Sequence, residues 1–325
     1  MRNSQIVNLR VFAIFFVVIG HCVIIFDPRW DIYHPTYPSK SLYYFKEFIN
    51  SFQMQLFFSI SGFLYYYSKN KKNNIEFIID KGKRLLIPFL FVGLVYLIPI
   101  RFLAHYPNYS NGYFSALGDF FIKNDCGHLW FLPTLFGIFI ISKYLISFVE
   151  NSIVLKLALF VIAILTSVFN GHFPSFLYIN LILKWEVFFL LGYYVHAYKD
   201  VLFDKRYKNL WYLGVIVLPP LLYIRFLTLQ TSIGAPIRFV FSILMVLIMY
   251  RFMPSKTSEL ISFFDKNSFG IYLFHAPVIY VVFDNFYYMY PWQLVGIAFF
   301  SSCSIALLIT YSLRLLKLEI MIGEK

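Results

Sequence analysis

The sequence predicts an all-α, polytopic integral membrane bundle of about ten transmembrane helices, with N and C termini cytoplasmic. Three observations carry this. Of 325 residues, 60% are hydrophobic and only 14% are charged, whereas soluble domains are roughly a quarter charged. Apolar runs of about 20 residues, enough to cross ~30 Å of hydrocarbon at ~1.5 Å each, recur along the chain. Lysine and arginine collect in alternate gaps between those runs.

The first six spans are expected near 6 to 26, 47 to 67, 85 to 104, 128 to 148, 153 to 170 and 179 to 197. The last four fall near 210 to 229, 235 to 253, 268 to 286 and 293 to 316. The first run lacks a small-residue cleavage site, so it reads as a retained helix and not a removed signal. One side of this ladder collects Arg2, Lys69, Lys71, Lys72, Lys81, Lys83, Arg84, Lys143 and Lys156. It continues with the basic residues of 199 to 208, 251 to 266 and 314 to 325, Lys325 among them, making about nineteen of the chain's 28. The positive-inside rule makes that side the cytoplasm. The whole of 1–325 reads as a single membrane-embedded domain. The segments 27 to 46 and 105 to 127, rich in Tyr, Pro, Asn and Asp, are expected to be ordered exterior loops.

The net charge of +12 punctuates hydrophobic runs instead of forming one basic face, so it marks topology and not a nucleic-acid partner. Cys22, Cys126 and Cys303 lie far apart without metal-ligand spacing, so neither a disulfide framework nor a metal site is expected. Aromatic residues make up 22% of the chain, as suits a protein with extensive membrane interfaces.

A charge within the bilayer costs at least about 2.5 kcal/mol on insertion scales, so each one present needs a reason. Arg10 and His21 stand eleven residues apart, three turns plus about 20°, and share one face of the first helix at a separation of about 16 Å. Snorkelling alone could explain Arg10 as an anchor, or it could belong with His21 to a polar stripe pointing into the bundle. His21 could be a structural hydrogen bonder or a proton-transfer group, since its pKa suits that chemistry at neutral pH. Lys81 and Arg84, three apart before the third span, could anchor to lipid headgroups or together hold a phosphorylated ligand from the cytoplasm. His128 and Trp130 open the fourth span, where interfacial anchoring also accounts for both. Glu186 in the sixth span and His275 in the ninth are readable as helix-to-helix hydrogen bonders.

Taken together, the motifs resemble the membrane acyltransferase 3 family, bacterial O-acyltransferases that modify surface polysaccharides and other exported glycans. Asn8-Leu9-Arg10-Val11-Phe12-Ala13 followed by His21 is similar to the family's opening Arg and His pair. Phe57-Phe58-Ser59-Ile60-Ser61-Gly62-Phe63 resembles its second-helix stretch, and Lys81-Gly82-Lys83-Arg84 through Pro88 its basic cytoplasmic element. His128-Leu129-Trp130-Phe131-Leu132, Phe188-Phe189-Leu190-Leu191-Gly192, and Ser268 through Pro277 resemble three further signatures in the family's order. The first basic position is Lys81 where the family usually has Arg, which removes a planar two-pronged phosphate contact but keeps a point charge.

The resemblance implies a transferase: an O-acyltransferase, most simply an O-acetyltransferase, of the bacterial inner (plasma) membrane. It would move the acyl group of cytoplasmic acyl-CoA, most simply acetyl-CoA, to a hydroxyl of a capsule, exopolysaccharide or O-antigen type glycan. It assigns His21 as general base or acyl-carrying nucleophile and Arg10 beside it, with Lys81 and Arg84 on the coenzyme phosphates. Trp130, His128, His275 and Glu186 would line the acceptor site. No separate soluble domain is expected, so the membrane domain would do the whole job. The other class to weigh is a transporter or flippase of a lipid-linked glycan, but inverted repeats and paired broken helices are not visible in the sequence. Trp30, Tyr33, His34, Tyr37, Tyr106 and Tyr109 are candidates either to stack on sugar rings or to anchor at the interface.

Overall fold

A computed structural model describes residues 4–68, 73–106, 112–122 and 124–324. Arg2, Lys69, Lys71, Lys72, Tyr109 and Lys325 lie outside the described residues. The described chain is helical throughout, with no strand. Among the described residues, eight helices are long and apolar enough to cross a membrane: 4–22, 74–103, 127–149, 176–197, 205–227, 234–252, 259–286 and 291–315. Helices of 16 residues, Gln53–Ser68 and Ile153–Val168, stand where the second and fifth spans were expected. At ~1.5 Å per residue each is somewhat shorter than the hydrocarbon core.

Local chemistry sets the helix starts. Ser4–Cys22 (α1) opens the bundle, followed by Lys40–Ile49 (α2), which begins where Ser39 Oγ accepts from Leu42 N–H. Gln53–Ser68 (α3) leads to Asn74–Val92 (α4), capped by Asn73 Oδ1 on Glu76 N–H at 2.8 Å. A π turn over Gly93–Leu97 then joins α4 to Ile98–Leu103 (α5), with Ile98 N–H bonding the carbonyl five residues back. That wider turn lies just ahead of Pro99, whose ring would collide with a carbonyl in an unbroken helix.

Tyr113–Ile122 (α6) and Phe131–Val149 (α7) follow. Ile153–Val168 (α8) and Ile179–Ala197 (α9) come next, then the short Lys199–Leu202 (α10). Lys208–Leu227 (α11), Gly234–Phe252 (α12), Glu259–Phe286 (α13) and Pro291–Leu315 (α14) complete the set. The segments read as loops therefore hold two short helices, α2 and α6, because Ser39 supplies a cap and 113–122 is apolar. The ninth span also starts earlier than its apolar run suggests, at Glu259 behind the Ser258 cap, since a helix continues through polar residues that have partners.

Hydrogen bonds define two ends. At the near end, where α1 starts, Gln5 donates to Tyr250 O at 2.6 Å and Asn8 to Pro254 O and Lys256 O at 2.8 Å. At the far end Arg225 Nε donates to Ser51 Oγ at 2.7 Å and Ser242 Oγ to Ser51 O at 2.5 Å. Helix α13 is the core helix, packed on α1, α14 and α5.

The tightest backbone approach joins α3 to α9. A Cβ on Gly62 would run into the carbonyl of Phe189, and one on Gly192 into the carbonyl of Ser59. The two glycines are reciprocal, and each lets the other helix's backbone close in, as small residues do between membrane helices. This contact explains why both sequence stretches that contain them need glycine there.

Candidate functional site

Three histidines from three helical segments meet in the far half of the bundle. His21 comes from the last turn of α1, His128 from the 3-10 turn Gly127–Trp130 before α7, and His275 from the middle of α13. Ring centroids lie 4.9 Å apart for His21 and His275, 5.1 Å for His128 and His275, and 6.3 Å for His21 and His128. His275 and His128 are buried, and His21 is half-buried.

Their neighbours assign the tautomers. His275 Nδ1 faces the carbonyls of Ile271 at 3.0 Å and Tyr272 at 2.8 Å, so it carries the proton and leaves Nε2 as acceptor. That Nε2 lies 3.2 Å from His21 Nδ1, which is also 2.9 Å from Val17 O. Both partners of His21 Nδ1 accept, so Nδ1 is protonated and Nε2 keeps its lone pair. His128 Nε2 donates to Leu273 O at 3.0 Å, and its buried Nδ1 has no hydrogen-bond partner among the described residues. Tyr272 donates from its hydroxyl to His128 O at 2.6 Å, holding the turn against α13.

His21 and His128 line a cavity of about 370 Å³. Trp130 and Trp185 form part of its wall, stacked at 5.6 Å with 26° between planes, with Phe58 behind Trp185 at 5.1 Å. Gln53, Lys184, Arg238 and Tyr272 also face it. Gly20 makes room here, since a Cβ on it would fall 2.6 Å from Gln53 Oε1. Among the described residues no group of three His, Cys, Asp or Glu is arranged to hold a metal ion, and all three cysteines are buried free thiols.

The other residues singled out from the sequence lie elsewhere. Arg10 does not reach this cavity and pairs with Asp265 of α13 at 3.0 Å near the other end. Lys81 sits with its ammonium 4.0 Å from the Phe139 ring centroid, and Arg84, one turn on, is exposed with no acidic partner among the described residues. Glu186 is buried beside Trp185 and does not line the cavity. His275 stands behind His21, not in the wall. Trp30, Tyr33 and Tyr106 gather around Tyr280 instead of the cavity, Tyr37 stacks on Tyr290 at 4.9 Å, and His34 is exposed beside Asp31.

Sequence reading missed Lys184, Arg238 and Gln53, each a single polar residue at the edge of an apolar run. Their only signal is that a membrane helix seldom keeps such a residue without a reason. It also missed the charge network beside the cavity. Arg29 and Lys46 both hold Asp27, and both contact Glu47, which in turn accepts from Arg225 Nη2 at 2.9 Å. Burial alone would raise the Asp27 carboxyl, but hydrogen bonds from Arg29 and Lys46 outweigh it and hold it well below the usual carboxylate range. Burial of Glu47 is likewise overcome by Lys46 and Arg29, which lower its carboxyl.

The fold is that of a polytopic helical membrane protein with a histidine-lined, aromatic-walled cavity. The family model described as an acyltransferase domain matches residues 3–314, and the chain belongs to the acyltransferase 3 family. It is a multi-pass membrane acyltransferase. No curated protein and no solved structure matches the chain.

Proposed function

We propose that the chain is an O-acyltransferase that takes an acyl group, most simply acetyl, from cytoplasmic acyl-CoA and places it on a hydroxyl of an exported glycan. The observation that carries this is the free lone pair of His21 Nε2 at a cavity walled by Trp130 and Trp185, faces suited to sugar rings. The cell is bacterial, the membrane is the inner (plasma) membrane, and both termini lie in the cytoplasm. The near end is then cytoplasmic and the cavity lies toward the exterior. The whole chain, 1–325, works as one unit.

His21 Nε2 takes the proton of the acceptor hydroxyl as its oxygen attacks the thioester carbonyl. The C–O bond forms, the C–S bond breaks, and the thiolate leaves with the proton from His21. His275 Nε2 and Val17 O hold His21 Nδ1–H throughout, so the ring keeps its orientation while its charge changes. The same lone pair could carry the acyl group covalently, in which case an acyl-histidine accumulates when the acceptor is withheld.

Arg84 suits the donor's phosphates, because it is exposed at the near end without an acid of its own, and Lys81 lies one turn away on the same helix. Arg10 occupies the same face of α1 as His21, where the donor's arm must pass. Its ion pair with Asp265 fixes it there. His128 and Trp130 contact the acceptor, while His275 acts through His21. Glu186 stays behind the wall as a buried neighbour of Trp185.

Sealed vesicles carrying the chain, given labelled acetyl-CoA on the cytoplasmic face alone, should place label on glycan at the opposite face. Vesicles that label nothing from acetyl or succinyl donors, yet move lipid-linked glycan across, would make the chain a transporter and end the enzyme reading.

A further inference from the structure

The cavity wall carries two cations and no acid. Lys184 projects from the second turn of α9 and Arg238 from the second turn of α12, and both line the cavity. Both are half-buried. Neither side chain has a hydrogen-bond or ion-pair partner among the described residues, and the two are near enough to repel each other. The Lys184 ammonium lies 5.2 Å from the centroid of the Trp185 ring.

Among the described residues, the other lysines and arginines at this end that are buried to this degree are matched. Arg225 and Lys46 face Glu47, and Arg101 faces Asp125 at 3.0 Å. Placing two like charges together, partly out of water, costs free energy unless a counter-charge arrives. A third feature points the same way. Gln53, 8% exposed, lies in the same wall with its Oε1 buried and without a hydrogen-bond partner among the described residues. An unmatched acceptor there suits a donating hydroxyl, as the unmatched cations suit an anion.

We infer that the acceptor is an acidic glycan, bearing a carboxylate or phosphate close to the hydroxyl that is acylated, with Lys184 and Arg238 holding the anion and Gln53 a neighbouring hydroxyl. This rests on the cavity being the acceptor site. The anion belongs to the acceptor and not to the acyl donor, whose phosphates meet the near end. The arrangement sets which hydroxyl reaches His21: the cations fix one corner of the sugar and the tryptophans its face.

The test uses the purified full chain in lipid nanodiscs. Three matched oligosaccharides serve as probes: one bearing glucuronic acid, the same one with its carboxyl reduced to the alcohol, and a phosphorylated counterpart. Binding is read from the fluorescence of Trp130 and Trp185 against a Trp130→Phe, Trp185→Phe control, and acetyl transfer is read separately. The acidic probes should bind at least about ten-fold more tightly than the reduced one, the effect of one charge-assisted hydrogen bond. That preference should shrink as salt rises. Lys184→Gln with Arg238→Gln should abolish it, and Lys184→Arg should retain it.

Preference for the carboxylate over the phosphate, or the reverse, identifies the anion. Equal binding of acidic and reduced probes by the native chain overturns the inference, as does a double variant that keeps the preference. A charge requirement that follows a succinyl donor and not the acceptor overturns it too. Because binding is read without turnover, tight acidic binding with no transfer would leave this inference standing while ending the acyltransfer proposal.

Discussion

His275 Nε2 stands 3.2 Å from His21 Nδ1, and His275 Nδ1 is held by two carbonyls of its own helix, so His275 can only accept from His21. The second histidine is thus an orienting group buried behind the first. In the proposed reaction it would do for His21 what a carboxylate does in many catalytic sites, but without adding a charge to the membrane interior.

His275→Ala should therefore cut kcat by about 10- to 100-fold, the cost of a loosely held catalytic group, while leaving the acceptor KM nearly unchanged. Steady-state kinetics in nanodiscs would show it. An unchanged kcat would mean that Val17 O alone orients His21, and a raised KM would place His275 in the wall.

Gly62→Ala should destabilise the bundle by about 1–3 kcal/mol or more, because its methyl meets the Phe189 carbonyl and α3 must move off α9. Gly192→Ala should do the same against Ser59, and the pair together should cost less than their sum, since one separation relieves both clashes. Thermal unfolding of the detergent-solubilised variants measures this. A wild-type melting curve for either single variant would contradict the packing described.

Both glycines sit in stretches already conspicuous in the sequence, and the same holds for His21, His128 and His275, which were named separately and meet in space. Among the described residues, eight helices long and apolar enough to cross a membrane overlap expected spans, two 16-residue helices overlap the second and fifth, and several starts differ from the apolar runs. What was not legible depended on partners distant in sequence. Asp265 is a polar residue ahead of an apolar run until Arg10 is found 3.0 Å from it. Helix α2 looked like loop because its polar face pairs with Asp27 and Arg225, which no local pattern reveals. Lys184 and Arg238 lie 54 positions apart on different helices, and only the fold brings them to one cavity.

Acid should loosen the far end first. Asp27 and Glu47 both have folded-state pKa values depressed below the unfolded ones, so they stabilise the fold fully above the unfolded carboxylate pKa of about 4 and lose that contribution as pH falls through the folded values. The melting temperature should be level from neutral pH to about 5 and fall below about 4. In Asp27→Asn the acid limb should be shallower from a lower plateau. A limb of unchanged steepness would assign the acid loss to other carboxylates.

Arg225→Met should be more damaging than its exposed neighbours' substitutions, because it leaves Glu47 buried with one partner fewer. Breaking a buried pair costs about 3–5 kcal/mol, a value reduced here by the remaining contacts from Arg29 and Lys46. Arg225→Met with Glu47→Gln should recover part of the loss, and a double-mutant cycle of unfolding free energies checks the sign.

The most direct test of the central claim compares acetyl transfer from labelled acetyl-CoA to surface glycan in membranes carrying the native chain, His21→Ala or His21→Gln, at matched expression. Loss of transfer by about a thousand-fold or more in both variants, with the glycan still exported, is the expected result for a catalytic base or nucleophile. Transfer that survives in either variant within about ten-fold of the native rate would contradict it and move the chemistry away from His21.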